Sequence, residues 1–306
     1  MTDMTVDLGG LEMRTPVATA SGTFGYGREY AEMVDYSRIG AITAKGVRMV
    51  PWPGNPMPRH CEVPGGLLNA IGLQGPGAEH FVKWTLPQLR ALDVPVIANV
   101  WGASVEEYAQ AAAVLDAAAG VSAIEVNVSC PNVKEGGHTF GSTPRILAET
   151  VRAVRAAVKK PLIVKLAPNV PDIAPYIHAL EDEGADAVSL INTIPAMAID
   201  IEKRRPVLAN RTGGLSGRCV HPAAVKIVYD AYRAGKLPIL AMGGVYGPED
   251  AIEFMLAGAT AVAVGTATFT DPSTAVRVAD GIDRYCGRHG FSAARELTGA
   301  LLETAP

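Results

Sequence analysis

The 306-residue chain is poor in cysteine: four thiols, at positions 61, 130, 219 and 286, with no CxxC spacing. Thiols so scattered make neither a disulfide framework nor a zinc or iron–sulfur ligand set, and no metal site is expected. They fit a reducing compartment, the cytoplasm. No apolar run reaches the roughly 18 residues needed to span a bilayer, so no membrane association is expected. Residues 1–10 lack a charged segment followed by an apolar one, and no signal peptide is read there. Basic residues are not in excess. The 27 Lys and Arg against 31 Asp and Glu leave a formal charge of −4 and no basic stripe, which argues against a nucleic-acid partner. No linker marks a second domain, so residues 1–306 read as one. What is present is an ordinary globular composition, 48% hydrophobic and 19% charged. The 32 glycines cluster after apolar runs, where backbone approaches a ligand closely.

Short apolar runs recur at 17–20, 41–44, 94–100, 123–128, 162–166, 187–191, 238–242 and 261–264. Continuous apolarity flanked by Gly or Pro predicts strands buried on both faces. The spacers carry helix signals. Ser104-Val-Glu-Glu reads as a capping box. Thr143-Pro144 opens a segment running to Lys159-Lys160, and Pro248-Glu-Asp opens another that Ala257-Gly258 closes. Eight strand–helix alternations predict an α/β fold, a (β/α)8 TIM barrel, with an open doubly wound sheet as the competing topology. Two stretches interrupt the repeat: residues 46–80, rich in Pro, Gly and Met, and residues 193–220, polar and Gly-rich. Insertions after barrel strands build the active-site face, the C-terminal face of the barrel.

Residues 127–137, Asn-Val-Ser-Cys-Pro-Asn-Val-Lys-Glu-Gly-Gly, put Cys130 where a strand becomes a loop. Ile124, Val126 and Val128 fall on one side of that strand, and Glu125, Asn127 and Ser129 on the other. A lone strand-end Cys is most often a small buried hydrophobe. Here Asn127 and Asn132 flank it, and polar groups clustered at a strand end need partners, which a planar ligand would supply. Other strand ends read Ser21, Lys45-Gly46, Asn99, Lys165, Ile191-Asn192-Thr193, Gly243-Gly244 and Gly265-Thr266. One strand-end Lys is unremarkable. Lys45 and Lys165 together with three Asn point to an anionic planar ligand. The Gly243-Gly244 and Gly265-Thr266 turns after the last two strands match the usual phosphate site of such barrels, and Gly213-Gly-Leu-Ser-Gly217 adds another close-approach loop. A phosphate at one end and ammonium groups at the other suit FMN. Cys130 then serves as a base that removes a proton from one substrate carbon while hydride leaves its neighbour.

These motifs resemble the dihydroorotate dehydrogenase family. The matches span most of the chain: Ala20-Ser-Gly-Thr-Phe-Gly-Tyr-Gly, Lys45-Gly, Asn69-Ala-Ile-Gly-Leu-Gln, Asn127-Val-Ser-Cys-Pro-Asn, Lys165, Ile191-Asn-Thr, Gly213-Gly-Leu-Ser-Gly and Gly243-Gly…Gly265-Thr. The resemblance implies an FMN-dependent oxidation of dihydroorotate to orotate, a step of pyrimidine (UMP) biosynthesis. It implies FMN contacts at Ser21, Lys45, Gly46, Asn99, Asn127, Lys165, Ile191, Gly217, Gly243, Gly244, Gly265 and Thr266. It implies substrate contacts at Lys45, Asn69, Ala70, Ile71, Gly72, Leu73, Asn127, Asn132, Asn192 and Thr193. Cys130 is the implied base, with Lys45 and Lys165 beside it in catalysis.

The resemblance also carries a subclass. The quinone-linked, membrane-bound class uses Ser as base, whereas this chain has Cys130. Asn-Val-Lys-Glu-Gly-Gly after Cys-Pro resembles the NAD-linked class 1B form, whose catalytic subunit pairs with a subunit carrying FAD and a [2Fe–2S] cluster. The implied assembly is a heterotetramer on a homodimer of this chain. The fumarate-linked class 1A homodimer is the alternative. Other flavin reductases on the same barrel, and a non-catalytic phosphate-binding barrel, are more distant ones. Three places depart from the family pattern: Gly75 where Asn is expected, Arg211 where Gly is usual, and Arg218-Cys219-Val220-His221 in place of a Gly-Pro-Ala-containing stretch.

Overall fold

A computed structural model describes residues 2–128 and 140–302. Eight parallel strands close into a barrel in sequential order: β1 (Val17–Thr19), β2 (Ala41–Thr43), β3 (Val96–Val100), β4 (Ala123–Asn127), β5 (Leu162–Lys165), β6 (Ala187–Leu190), β7 (Ile239–Met242) and β8 (Ala261–Val264). Every residue of these strands is buried. Each strand faces core on both sides, which is why the runs read as continuously apolar rather than alternating.

Six long helices pack outside: α1 (Val105–Ala117), α2 (Pro144–Ala157), α3 (Ala174–Asp182), α4 (His221–Ala234), α5 (Pro248–Leu256) and α6 (Thr274–His289). The β2–β3 crossover is helical over residues 78–90, with a π-type stretch at Phe81–Thr85. Between β1 and β2 only 3-10 turns form, at Arg28–Tyr30 and Tyr36–Arg38. Helix α2 buries Leu147, Thr150, Val151 and Val154, a stripe at i, i+3, i+4 and i+7. It ends at Ala157, short of the Lys159-Lys160 expected from the sequence. Lys160 instead turns back, its Nζ donating to the carbonyls of Asp116 and Ala118. At α1, Ser104 Oγ accepts the Glu107 N–H (3.2 Å) as the capping box predicts. The reciprocal half differs: Glu107 takes the Ala103 N–H (2.8 Å) and forms a two-pronged ion pair with Arg48.

The barrel end opposite the mouth is plugged by a hairpin, Val6–Asp7 against Glu12–Met13. Its Leu8, Leu11 and Met13 join the inward-facing Ala18, Ala41, Ile97, Ala123, Ile163, Ala187, Leu240 and Ala261 in one apolar cluster. Each such large side chain taken from water contributes about 1.5–3 kcal/mol.

The two insertions after β2 and β6 pair with each other. Strand Gly66–Asn69 runs antiparallel to Gly213–Ser216, with Asn69 opposite Gly214, Leu68 opposite Leu215 and Leu67 opposite Ser216. His60–Val63 and Ile194–Ala196 complete a four-stranded sheet. Leu68, Ala70 and Leu208 form its own small core. Residues 46–80 and 193–220 are therefore one structural unit.

Candidate active site

Parallel strands bring all eight C-terminal ends to one rim, so the residues that follow each strand converge without any special local device. Register places Lys165 of β5 directly between Asn127 of β4 and Ser189 of β6. Lys165 is only 4% exposed. An ammonium buried at a barrel mouth needs an anionic or amide partner. Lys45, which follows β2, is half-buried. Burial first, then the charge of Arg59, against the pull of Glu29, holds its ammonium below the usual lysine range.

The amide and hydroxyl groups form a connected set. Asn192 Nδ2 donates to Asn127 Oδ1 (3.3 Å), and Asn192 Oδ1 accepts the Thr193 N–H (2.8 Å). Asn69 Nδ2 donates to the Gly214 carbonyl (3.3 Å) across the sheet. Gly214 lies so close to Thr193 that a Cβ there would overlap its hydroxyl. Tyr108 of α1 fixes the end of β4 by donating to the Asn127 carbonyl (2.7 Å). The structure thus unites Asn69, Asn127, Asn192 and Thr193. Ala70, Ile71, Gly72 and Leu73 follow Asn69 on the same segment; Gly72 and Leu73 have φ of 74° and 58°, and the Leu73 side chain reaches Gly46.

The glycines of the β7 and β8 ends meet the insertion from β6. Gly217, Gly243 and Gly244 have φ of 112°, 132° and 76°, conformations that exclude a Cβ. A side chain on Gly244 would meet the Gly217 carbonyl at 2.9 Å and His221 Cβ at 2.7 Å. Thr266 Oγ1 donates to Ser216 Oγ (2.8 Å), tying the β8 end to the same loop. Gly265 lies beside Ala20, next to Ser21 at the β1 end. Ile191, buried beneath Gly243, closes the floor between β6 and β7. Cys130 and Asn132 lie outside the described residues.

Buried polar atoms without partners test whether this mouth fits a flavin. Asn99 on β3 is fully buried, its Nδ2 donating to Glu125 Oε2 (2.6 Å) while its Oδ1 has no partner among the described residues. That oxygen lies 2.9 Å from where a Cβ on Gly46 would stand. A buried acceptor, a buried ammonium, a set of amides and a glycine cradle are the donor and acceptor chemistry that an isoalloxazine ring bearing a phosphate chain requires, so the residues fit FMN.

Sequence reasoning passed over Glu125 and Ser189, which sit inside the barrel beneath these residues, and Arg59, which biases Lys45. For the first two a signal existed: each is a polar residue at inward period-2 spacing within an apolar run. Arg59 gave none, since its approach to Lys45 depends on the fold of the insertion. The departures are also explained in part. Arg211 has φ of 67°, which is why Gly is the ordinary occupant there, and its side chain is exposed. Arg218 lies over the Tyr246 ring at 4.5 Å, and His221 is hydrogen-bonded to the Gly243 carbonyl (2.9 Å) and Glu253 (3.1 Å).

Fold and mouth together define a (β/α)8-barrel enzyme whose site is assembled from strand ends and two paired insertions. Residues 3–285 match the family model described as dihydroorotate dehydrogenase. A relative from Geobacter sp. (strain M21), named dihydroorotate dehydrogenase B (NAD(+)), catalytic subunit, is 53% identical over 299 residues, 98% of each chain. One of the same name from Parabacteroides distasonis is 50% identical over 301 residues, covering 98% of this chain and 99% of its own. The crystal structure of the Eimeria tenella dihydroorotate dehydrogenase in complex with ferulenol superposes with a TM-score of 0.81 over 97% of this chain and 88% of its own; at 22% identity it speaks to the fold alone. The chain belongs to the dihydroorotate dehydrogenase family.

Proposed function

We propose that this chain is the catalytic subunit of an NAD-linked dihydroorotate dehydrogenase, oxidising dihydroorotate to orotate in pyrimidine biosynthesis. The observation that carries this reading is end-to-end similarity, at half identity, to relatives bearing that subunit name. The fumarate-linked homodimer is not favoured by these relatives. Lys45, Lys165, Asn99, Asn127 and the Gly217, Gly243, Gly244, Gly265 and Thr266 cradle would hold FMN, with Ser21, Gly46 and Ile191 lining the ring's place. When bound, FMN supplies the hydride acceptor.

The chain's own groups do the rest. Asn69, Asn127, Asn132, Asn192 and Thr193, with the backbone of residues 70–73, orient the substrate's amide edges, and Lys45 meets its carboxylate. Cys130 takes the proton from the carbon next to the one that loses hydride; a thiol, with an ordinary pKa near 8.5, is a competent base near neutrality. Lys165 would supply positive charge to offset the negative charge that reduction places at the flavin's N1/O2 edge.

Electrons leave to NAD+ through a partner subunit carrying FAD and a [2Fe–2S] cluster, in a heterotetramer built on a dimer of this chain, in the cytoplasm. The word "subunit" in the relatives' names supports a partner. Among the described residues no helix is long and apolar enough to cross a membrane.

The test is anaerobic. The purified chain should show an FMN spectrum that dihydroorotate bleaches, and should reduce NAD+ only with its partner present. Bound flavin that stays oxidised would refute the substrate. Rapid turnover of the lone chain with fumarate would favour the class 1A reading. Cys130→Ser should retain flavin but reduce it slowly at pH 7, recovering as pH rises, and a wild-type rate at pH 7 would remove Cys130 from the base role.

A further inference from the structure

Beneath the mouth, a carboxylate lies inside the barrel. Glu125 of β4 is fully buried and shares the inward face of that strand with Asn127, one layer nearer the plugged end. Its two oxygens are both engaged: Oε2 accepts from Asn99 Nδ2 on β3 (2.6 Å) and Oε1 from Ser189 Oγ on β6 (2.7 Å). Register sets Asn99 directly beside Glu125, whereas Ser189 is reached across β5. The carboxylate therefore braces three different strand ends of the site.

This arrangement decides which end of the Asn99 amide faces the ligand. A carboxylate oxygen accepts, so the amide must turn its NH2 group down to it. The carbonyl oxygen is then left pointing up, buried, beside Gly46 and without a partner among the described residues. A buried acceptor so placed calls for a ligand N–H, and a buried acceptor left unmatched is costly. An oxidised isoalloxazine ring has one N–H, the imide N3–H, flanked by two carbonyl acceptors. With the amide reversed, Asn99 would offer a donor and select a ring carbonyl instead.

We infer that Glu125 is a positioning residue of the active site: it locks the Asn99 amide so that Oδ1 receives the flavin imide N–H, and thereby sets how the ring lies across the mouth. The inference rests on the FMN reading of the site. No apolar residue could substitute, because it would leave the Asn99 NH2 group and the Ser189 hydroxyl buried without acceptors. Gln is the instructive replacement. It keeps the size of Glu but carries both an acceptor and a donor, so it can pair with either orientation of Asn99.

The test compares FMN with N3-methyl-FMN, which lacks the imide donor. Dissociation constants for both are measured on apoprotein by flavin fluorescence quenching, for wild type, E125Q, N99A and the double variant. Loss of a buried hydrogen bond corresponds to roughly tenfold or more, so wild type should prefer FMN by about that factor. E125Q should still bind FMN but bring the two ligands to within about threefold, as expected for an amide free to take either orientation. N99A should lose the preference as well, and E125Q should change nothing further in that background. The extra methyl is as bulky for E125Q as for wild type, so a difference between them reports orientation rather than size. In wild type the N3 resonance of bound 15N-labelled FMN should show a hydrogen-bonded imide, and in E125Q it should move toward that of free flavin. A folded E125Q with the wild-type preference would overturn the inference. So would a wild-type protein that binds both ligands equally, a result that decides the matter even if E125Q does not fold. A wild-type protein that takes up neither flavin would refute the FMN reading itself, and the inference with it.

Discussion

Gly214→Ala is the sharpest perturbation of the substrate side of the mouth. Gly214 lies mid-strand in the sheet that joins the two insertions, opposite Asn69. A Cβ there would overlap Thr193 Oγ1 and approach Thr193 Cβ to 2.6 Å. Since Thr193 is tied to Asn192, and Asn192 to Asn127, the methyl cannot be accommodated by one side chain alone. Overpacking of this kind costs about 1–3 kcal/mol, which for a chain this size is a fall in Tm of roughly 2–5 °C. The displaced groups are those proposed to orient the substrate, and misplacement by about 1 Å can cost up to a hundredfold. Gly214→Ala should therefore raise the KM for dihydroorotate at least about tenfold. The flavin content should fall less than substrate affinity, because the Gly243, Gly244 and Gly265 turns are not touched and only Asn127 of the flavin-holding residues is reached. Steady-state kinetics, the 450 nm absorbance and a thermal melt read the three quantities. Gly287→Ala is the control: it lies in α6 with nothing within 4 Å of its Cβ, so it should be neutral or stabilising by up to about 1 kcal/mol. A Gly214→Ala enzyme with wild-type KM and Tm would refute the tight coupling between this strand and Thr193.

Three further outcomes are expected. Arg48 packs against both Trp52 and Trp101, 4.9 and 5.0 Å from their rings, and pairs with Glu107 at 14% and 16% exposure. Burial pushes Glu107 up, but Arg48 and the Ala103 N–H outweigh it and hold its carboxyl below 4.5. A depressed carboxylate adds stability above its ordinary pKa and loses it as pH falls through the folded value. Arg48→Met should thus cost about 2–4 kcal/mol near neutrality and flatten the acid limb of a denaturation profile; an unchanged acid limb would contradict the pairing. For Lys45, the lowered pKa means its charge, and with it affinity for an anionic substrate, falls away below the ordinary 10.5 as pH rises. Arg59→Gln removes one lowering cause, so the alkaline limb of orotate binding should move to higher pH, and a fixed limb would rule out Arg59 as its cause. Burial first, then Glu29, pushes the Tyr26 hydroxyl up to about 12, and that hydroxyl has no partner among the described residues. Tyr26→Phe should keep or gain stability by up to about 1 kcal/mol in urea melts; a loss of more than that would reveal a bond to the hydroxyl.

The barrel was legible because each strand is buried on both faces and writes an unbroken apolar run, from residues 17–20 through 261–264. The strand-end residues were legible for the same reason: Lys45, Asn99, Asn127 and Lys165 each end such a run, and parallel topology then sends them all to one rim. What local pattern could not show were pairings between distant segments. Nothing in residues 66–69 announces Gly213–Ser216 as its neighbour, and nothing in Ser104-Val-Glu-Glu shows that Glu107 will serve Arg48. Glu125 and Ser189 were visible as polar letters in apolar strands. Their meaning depended on meeting across β5, which the barrel's curvature decides.

The sheet over the mouth closes a long stretch of chain: Asn69 and Gly214 are 145 residues apart. Seven of the eight barrel pairings join strands that are neighbours in sequence; the β8–β1 seam and this sheet are the long-range closures, and this one must wait until β3 to β6 have brought the two insertions together. Loop-closure entropy and contact order then place it late in folding. The sheet over the mouth should thus take shape late and open early. Amides of residues 66–69 and 213–216 should exchange with solvent sooner than those of β3 to β5. A mutation in the insertions can therefore silence the enzyme while the barrel stays folded.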